Sequence, residues 1–237
     1  MDVLRSVGTG GDIILRYGAI VFLERQVISL AANPKRRRYS LEQYMTLLRN
    51  NEQRLEYDHG EIYALAGSSA NHAAISANMW RALDDALGEE SDCRAYMVDR
   101  VVRLTADVLV MPDVVVTCEK ADQDDAFFLD SPRLIVEVLS KSTEARDRTY
   151  KLLRYQSKQS IQEIVFISQY VQHVEVITRT PSGWEYREYG HEEEIPLASL
   201  NMTIQVSDIY RRLSIPIEKR TLVPLEIIEP TNEEEDS

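Results

Sequence analysis

No apolar run in the 237-residue chain approaches the roughly 18–20 residues that a membrane span requires. The early stretch Gly18 to Leu23 is bracketed closely by Arg16 and Glu24, and a secretory signal wants a longer apolar core and a small-residue cleavage site. A cytoplasmic protein is therefore expected. Cysteine is scarce: Cys93 and Cys118 are the only two, and they lie in strand-like sequence without metal-ligand spacing. They admit one disulfide, but two reduced thiols are the expected state in a cytoplasmic protein. A glycine-rich phosphate loop with its lysine, a Gly-x-Ser-x-Gly elbow and a Cys/His cluster for zinc are all missing. Those gaps argue against a P-loop NTPase, an α/β-hydrolase and a zinc-finger protein. Net positive charge is missing too, for the formal charge is −12. That argues against a protein coating nucleic acid indiscriminately, because such binding runs on phosphate neutralisation. Many acids fall beyond residue 188, so a nucleic-acid site is still allowed if it is local or completed by a cation.

What remains is ordinary globular sequence, 44% hydrophobic and 28% charged. A chain of this length buries roughly 70–75% of its unfolded surface as one domain. Residues 1–34 read as a glycine-containing extension that ends at Asn33-Pro34 before the basic Lys35-Arg36-Arg37-Arg38. Residues 35–212 read as the domain, and 213–237 as a loose acidic tail. Ser40-Leu41-Glu42-Gln43 is a capping box that predicts a helix ending at Asn50-Asn51. A hairpin is expected around Asp58-His59-Gly60, then a helix from an N-cap at Asn71 to Leu87. Strands follow over about 93–104, 108–117 and 134–139, then a helix over about 144–157 capped by Ser140 to Thr143. A strand at 163–168 and a hairpin about Thr180-Pro181-Ser182-Gly183 close the pattern. This order predicts a mixed α/β domain of the α+β type, a central sheet flanked by helices.

Two of those strands carry an acid where only valines and leucines are expected. Asp113 opens Val114-Val115-Val116, and Glu137 interrupts Leu134-Ile135-Val136 and Val138-Leu139. A lone ionised carboxylate inside a sheet is costly unless it is paired, hydrogen-bonded or bound to a cation. Neighbouring strands about 4.8 Å apart would let the two converge. One would then be protonated, or a cation would sit between them. Oxygen-only ligation by few protein groups suits Mg²⁺. A structural reading stands beside this one: Asp113 caps a strand start after Pro112, and Glu137 pairs with Arg133 or with a helix lysine.

The run "MPDVVV", the spacing from Asp113 to Glu137 and "VEVLSKSTEARDRTYKLLRYQS" together resemble the PD-(D/E)XK nuclease superfamily. They are most similar to a bacterial restriction-endonuclease family long known only as a domain of unknown function. The upstream "RRYSLEQYMTLLRNNEQRLEYDHGEIYALAGSSANHAAI" extends the likeness to about residues 36–212. The resemblance implies a restriction-endonuclease-like fold and Mg²⁺-dependent cleavage of DNA, with Mn²⁺ as a substitute. It also implies a homodimer, Asp113 and Glu137 as metal-binding acids, and a catalytic lysine. The superfamily pattern puts that lysine at the position of Leu139. Here the family's "Asp-Arg-x-x-Lys" maps onto Asp147, Arg148 and Lys151, making Lys151 the expected catalytic lysine and Lys141 its competitor. Glu56, Glu61 and His72 match further family positions as supporting residues. Two rival expectations are a nuclease-like scaffold that only binds, and a hydrolase of RNA or another phosphodiester.

Overall fold

Residues 38–218 are described by the computed structural model, apart from 51–52, 66, 98–99 and 125–126. The extension at 1–34, the basic Lys35-Arg36-Arg37 and the tail beyond residue 218 lie outside the described residues. Ser40 opens helix α1 (Leu41–Asn50) with the expected reciprocal pair of bonds. The Gln43 N–H donates to Ser40 Oγ at 3.2 Å and the Ser40 N–H to Gln43 Oε1 at 2.9 Å. Strands β1 (Leu55–Asp58) and β2 (Glu61–Ala64) form the hairpin, turned by His59 and by Gly60 at φ 91°. Helix α2 (Ala70–Leu87) starts from Ser69 rather than from Asn71, because the Ser69 hydroxyl oxygen takes the His72 N–H. Ile75, Met79 and Leu83 form its buried stripe, and Gly88 ends it at φ 68°.

The two long strands expected next are each split in two. The first becomes β3 (Arg94–Met97) and β4 (Val101–Thr105), the second β5 (Val108–Val110) and β6 (Val114–Thr117). The halves join different sheets. Pro112 explains the second break, for it has no N–H to give to a ladder. The carbonyls of Met111 and Pro112 instead accept from Arg54 Nη2 at 2.7 and 3.3 Å. Helix α3 (Lys120–Gln123) and strand β7 (Phe128–Leu129) occupy the acidic loop before β8 (Pro132–Leu139). The next helix is not regular. It runs as α4 (Glu144–Arg146), widens to a π turn over Asp147–Lys151 and returns as α5 (Leu152–Ser157). Strand β9 (Glu163–Ser168), the hairpin β10 (His173–Thr180) and β11 (Gly183–Gly190), strands β12 (Glu194–Leu197) and β13 (Met202–Gln205), and helix α6 (Val206–Ile209) follow among the described residues.

The fold is mixed α/β. One sheet has the order β2-β1-β5-β4-β7 and the larger one β11-β10-β9-β8-β6-β3, with β12-β13 apart. In the larger sheet only β8 and β9 run parallel, joined by the α4-π-α5 crossover. Side chains alternate along β8. Leu134, Val136 and Val138 pack with Ile75, Met79 and Leu83 of α2, whereas Ile135 and Leu139 pack with Tyr155, Ile164 and Phe166 on the other face. Leu139, at the superfamily's lysine position, is thus core.

Cys93 and Cys118 are joined as a disulfide, contrary to the expected free thiols. The antiparallel register Arg94↔Thr117 is the reason, since one further step sets residue 93 opposite residue 118. Residues 213–218, at the head of the expected tail, pack on the domain: Gln172 N–H donates to Pro216 O at 2.8 Å and its Nε2 to Ile215 O at 2.8 Å. Among the described residues no helix is long and apolar enough to cross a membrane.

Candidate active site

The break at Pro112 places Asp113. Strand β6 pairs with β8 through Val115↔Ile135 and Val114↔Val136, so the next step sets Asp113 opposite Glu137. The Asp113 N–H still closes on Val136 O at 3.1 Å, and its Oδ2 accepts the Val138 N–H at 2.9 Å. The period of two puts Asp113 and Glu137 on the same sheet face. Both are nearly buried, 6% and 4% exposed, and both line a cavity of about 290 Å³.

Lys151 comes to these acids from the π turn. The turn is wide because the Leu152 N–H reaches back to Asp147 O, a geometry often found at functional positions. Asp147, Lys151 and Tyr155 recur four residues apart and are all buried. Lys151 Nζ lies 2.9 Å from Glu137 Oε1, 2.9 Å from Glu56 Oε1 and 3.3 Å from Asp147 Oδ1. An ammonium has three N–H donors, and each has a carboxylate in reach. Tyr155 donates its hydroxyl to the same Glu137 Oε1 at 2.5 Å.

The remaining expected residues separate clearly. Glu56, fully buried on β1, accepts the Met111 N–H at 3.2 Å and pairs with Arg146 as well as Lys151. His72 Nε2 stands 3.2 Å from Asp113 Oδ2, in the first turn of α2. That turn is pinned to the end of β8, because Ser69 Oγ donates to Gln169 Oε1 at 2.6 Å and Gln169 Nε2 donates to Leu139 O at 2.8 Å. Glu61 is elsewhere. It accepts the Tyr63 hydroxyl at 2.6 Å, faces Asp58 across the hairpin and is not among the cavity-lining residues. Lys141 lines the cavity mouth, exposed, with Nζ 5.6 Å from the centre of the Tyr170 ring. Sequence reading missed Arg54, Arg146, Tyr155 and Gln169. Tyr155 alone left a trace, its spacing of four from Lys151, but an aromatic there reads as core.

Charge in this pocket is unevenly compensated. Burial works against an ionised Glu56, yet Lys151 and Arg146 outweigh it and hold its carboxyl below the usual range. At Asp113 burial is likewise outweighed by His72, the Val138 N–H and Arg54, and the carboxyl is held low. At Glu137 burial wins. Lys151 opposes it, but Asp147, Asp113 and Glu56 add repulsion, and the carboxyl is pushed up to about 8. Lys151 is shifted up, its burial outweighed by Glu137, Glu56 and Asp147. Asp147 Oδ1 is buried without a hydrogen bond. A structural ion pair explains why Lys151 meets Glu137. It does not balance the charge, for four carboxylates (Glu56, Asp113, Glu137 and Asp147) share three Lys and Arg partners, Lys151, Arg146 and Arg54.

A divalent cation fits that shortage. No group of three or more His, Cys, Asp or Glu able to hold a metal ion occurs among the described residues. Mg²⁺ does not need one, since it keeps several waters and binds through one or two carboxylates plus a phosphate. Asp113 and Glu137, opposite each other in the β6–β8 register and both lining the cavity, are the two residues that would hold it.

Comparison with known proteins places the chain. The profile of Uma2, described as "Putative restriction endonuclease", matches residues 41–209. The chain belongs to the Uma2 family. Among its relatives is the uncharacterized protein slr1290 of Synechocystis sp. (strain PCC 6803), 30% identical over 177 residues, which cover 74% of this chain and 93% of that protein. A second from the same organism, the uncharacterized protein sll1609, is 31% identical over 128 residues, covering 51% and 69%. A solved structure from Anabaena variabilis, described as "a putative nuclease belonging to DUF820", superposes with a TM-score of 0.62 over 73% of this chain and 97% of its own, at 19% identity. That likeness shows a shared fold. The Uma2 match spans the whole of the site, from α1 through α6.

Proposed function

We propose that this Uma2 protein is a divalent-metal-dependent nuclease that hydrolyses phosphodiester bonds of DNA. The observation that carries the reading is the meeting of Asp113, Glu137 and Lys151 at one cavity with too little positive charge for its acids. Asp113 and Glu137 would hold Mg²⁺, with Mn²⁺ as a substitute. Bound there, the cation would polarise a phosphoryl oxygen and lower the pKa of a coordinated water. The protein's own part is positioning. The Val138 N–H and His72 hold Asp113 Oδ2. Lys151 binds Glu56, Glu137 and Asp147 together and offsets their charge, so the catalytic role expected for it is electrostatic before it is contact with water. Asp147 and Glu56 in turn fix the ammonium.

DNA as substrate and a homodimer cutting both strands rest on the family resemblance. The negative chain supports a site where a metal and a few local cations offset phosphate repulsion. Leu139 in the core favours a second reading, a nuclease-fold module that binds without cutting. One panel separates these readings: supercoiled plasmid, single-stranded DNA and RNA, each with Mg²⁺ or EDTA. The proposal expects metal-dependent nicking of plasmid that Asp113→Asn and Glu137→Gln reduce at least about 100-fold. Cleavage of RNA alone moves the substrate class, and plasmid bound but uncut supports the binding module.

A further inference from the structure

We propose that Tyr155 is a positioning residue whose hydroxyl locks Glu137 Oε1, leaving Oε2 as the atom offered to a divalent cation in the cavity. The inference rests on the metal-dependent reading above. Both bonds to Glu137 converge on one oxygen: Lys151 Nζ at 2.9 Å and the Tyr155 hydroxyl at 2.5 Å. Oε2 takes no hydrogen bond from any described residue, and Glu137 lines the cavity. A carboxylate held by one partner can rotate about its terminal torsion, which is broad. Two donors on the same oxygen, arriving from successive turns of one helix segment, remove that freedom.

Tyr155 is suited to hold a position. It is fully buried, in one core cluster with Ile135 and Leu139 of β8 and Ile164 and Phe166 of β9. Lys151 cannot do this alone, because Glu56 and Asp147 draw on the same ammonium. The phenol, whose one bond among the described residues is to Glu137, sets the angle. Groups that orient metal ligands in this way are typically worth about 10–100-fold in metal affinity.

The test is isothermal titration of Mn²⁺ into the full chain, comparing wild type, Tyr155→Phe and Tyr210→Phe. Tyr210 is the control, a buried tyrosine whose hydroxyl donates to the carbonyls of Ser168 and His173 and stays outside the cavity. Tyr155→Phe is expected to weaken Mn²⁺ binding about tenfold, while Tyr210→Phe lowers thermal stability and leaves the affinity unchanged. Wild-type affinity in Tyr155→Phe overturns the inference and leaves the metal site standing. Binding that Asp113→Asn and Glu137→Gln do not weaken, or no binding by wild type, overturns the metal reading and this inference with it. Carbon-13 spectra of wild-type protein labelled at tyrosine Cζ need no variant to fold. Mg²⁺ must shift the Tyr155 resonance, and resonances that all stay put count against the lock.

Discussion

The two ends of the larger sheet bury acids in different ways. At one end, where β6 begins and β8 finishes, Asp113 and Glu137 stand at a cavity, and Glu137 is pushed up to about 8. At the other end, where β6 finishes and β8 begins, Asp122 is 3% exposed and fully satisfied. Its Oδ1 accepts the Asp130 N–H at 2.8 Å, and its Oδ2 accepts Thr117 Oγ1 at 3.0 Å and the Ser131 N–H at 2.8 Å. The disulfide between Cys93 and Cys118 staples the same end. Burial of a carboxylate therefore does not mark function. What distinguishes the cavity end is the gathering of Glu56, Glu137 and Asp147 on one lysine beside Asp113 at a cavity.

The comparison breaks first at the level of activity. Asp113→Asn and Glu137→Gln are expected to abolish metal-dependent nicking to below about 1% of wild type, whereas Asp122→Asn keeps it. Equal loss from all three variants would erase the distinction. Lys151→Met comes next. It leaves Glu56, Glu137 and Asp147 buried without their shared cation, and removing one partner of such a network costs about 3–5 kcal/mol in chemical denaturation. Asp122→Asn turns an NH₂ donor toward a backbone N–H that in wild type finds an acceptor, and costs about 2 kcal/mol with no change in Mn²⁺ affinity. Reducing the disulfide lowers stability by about 2–3 kcal/mol, again without touching the cavity.

A separate effect is in pH. Glu137 has a folded-state value near 8, above its ordinary 4.5, so its contribution is full below about pH 4.5 and is lost as pH rises through 8. Glu56 is shifted down, so its contribution is present above 4.5 and is lost in acid. In EDTA, the melting temperature of wild type falls relative to Glu137→Gln between about pH 5 and pH 8. Parallel curves would show that Glu137 is not held protonated.

Much of this arrangement was legible before any coordinates. The capping box at Ser40 and Gln43, both hairpins, and the acids interrupting two valine-rich runs are local signals, and local signals survive folding. The breaks were not. Residues 108–117 read as one strand because valines flank Pro112 on both sides and both halves are buried, only in different sheets. Ser69 and Asn71 are equally good capping residues, and the helix starts from Ser69, whose hydroxyl takes the His72 N–H and is held by Gln169. The π turn is invisible because Asp147 and Lys151 are four apart in either kind of helix. Tyr155 reads as core, which it is, and its hydroxyl bond depends on the crossover placing α5 beneath β8. The disulfide needed the β3–β6 register, which Cys spacing does not encode.

Diffraction from crystals grown with Mn²⁺, recorded for its anomalous signal, tests the central claim most directly. The account predicts one strong peak in the cavity, about 2.0–2.3 Å from carboxylate oxygens of both Asp113 and Glu137. Density at Asp122, or no density between the two cavity acids at saturating metal, would contradict it.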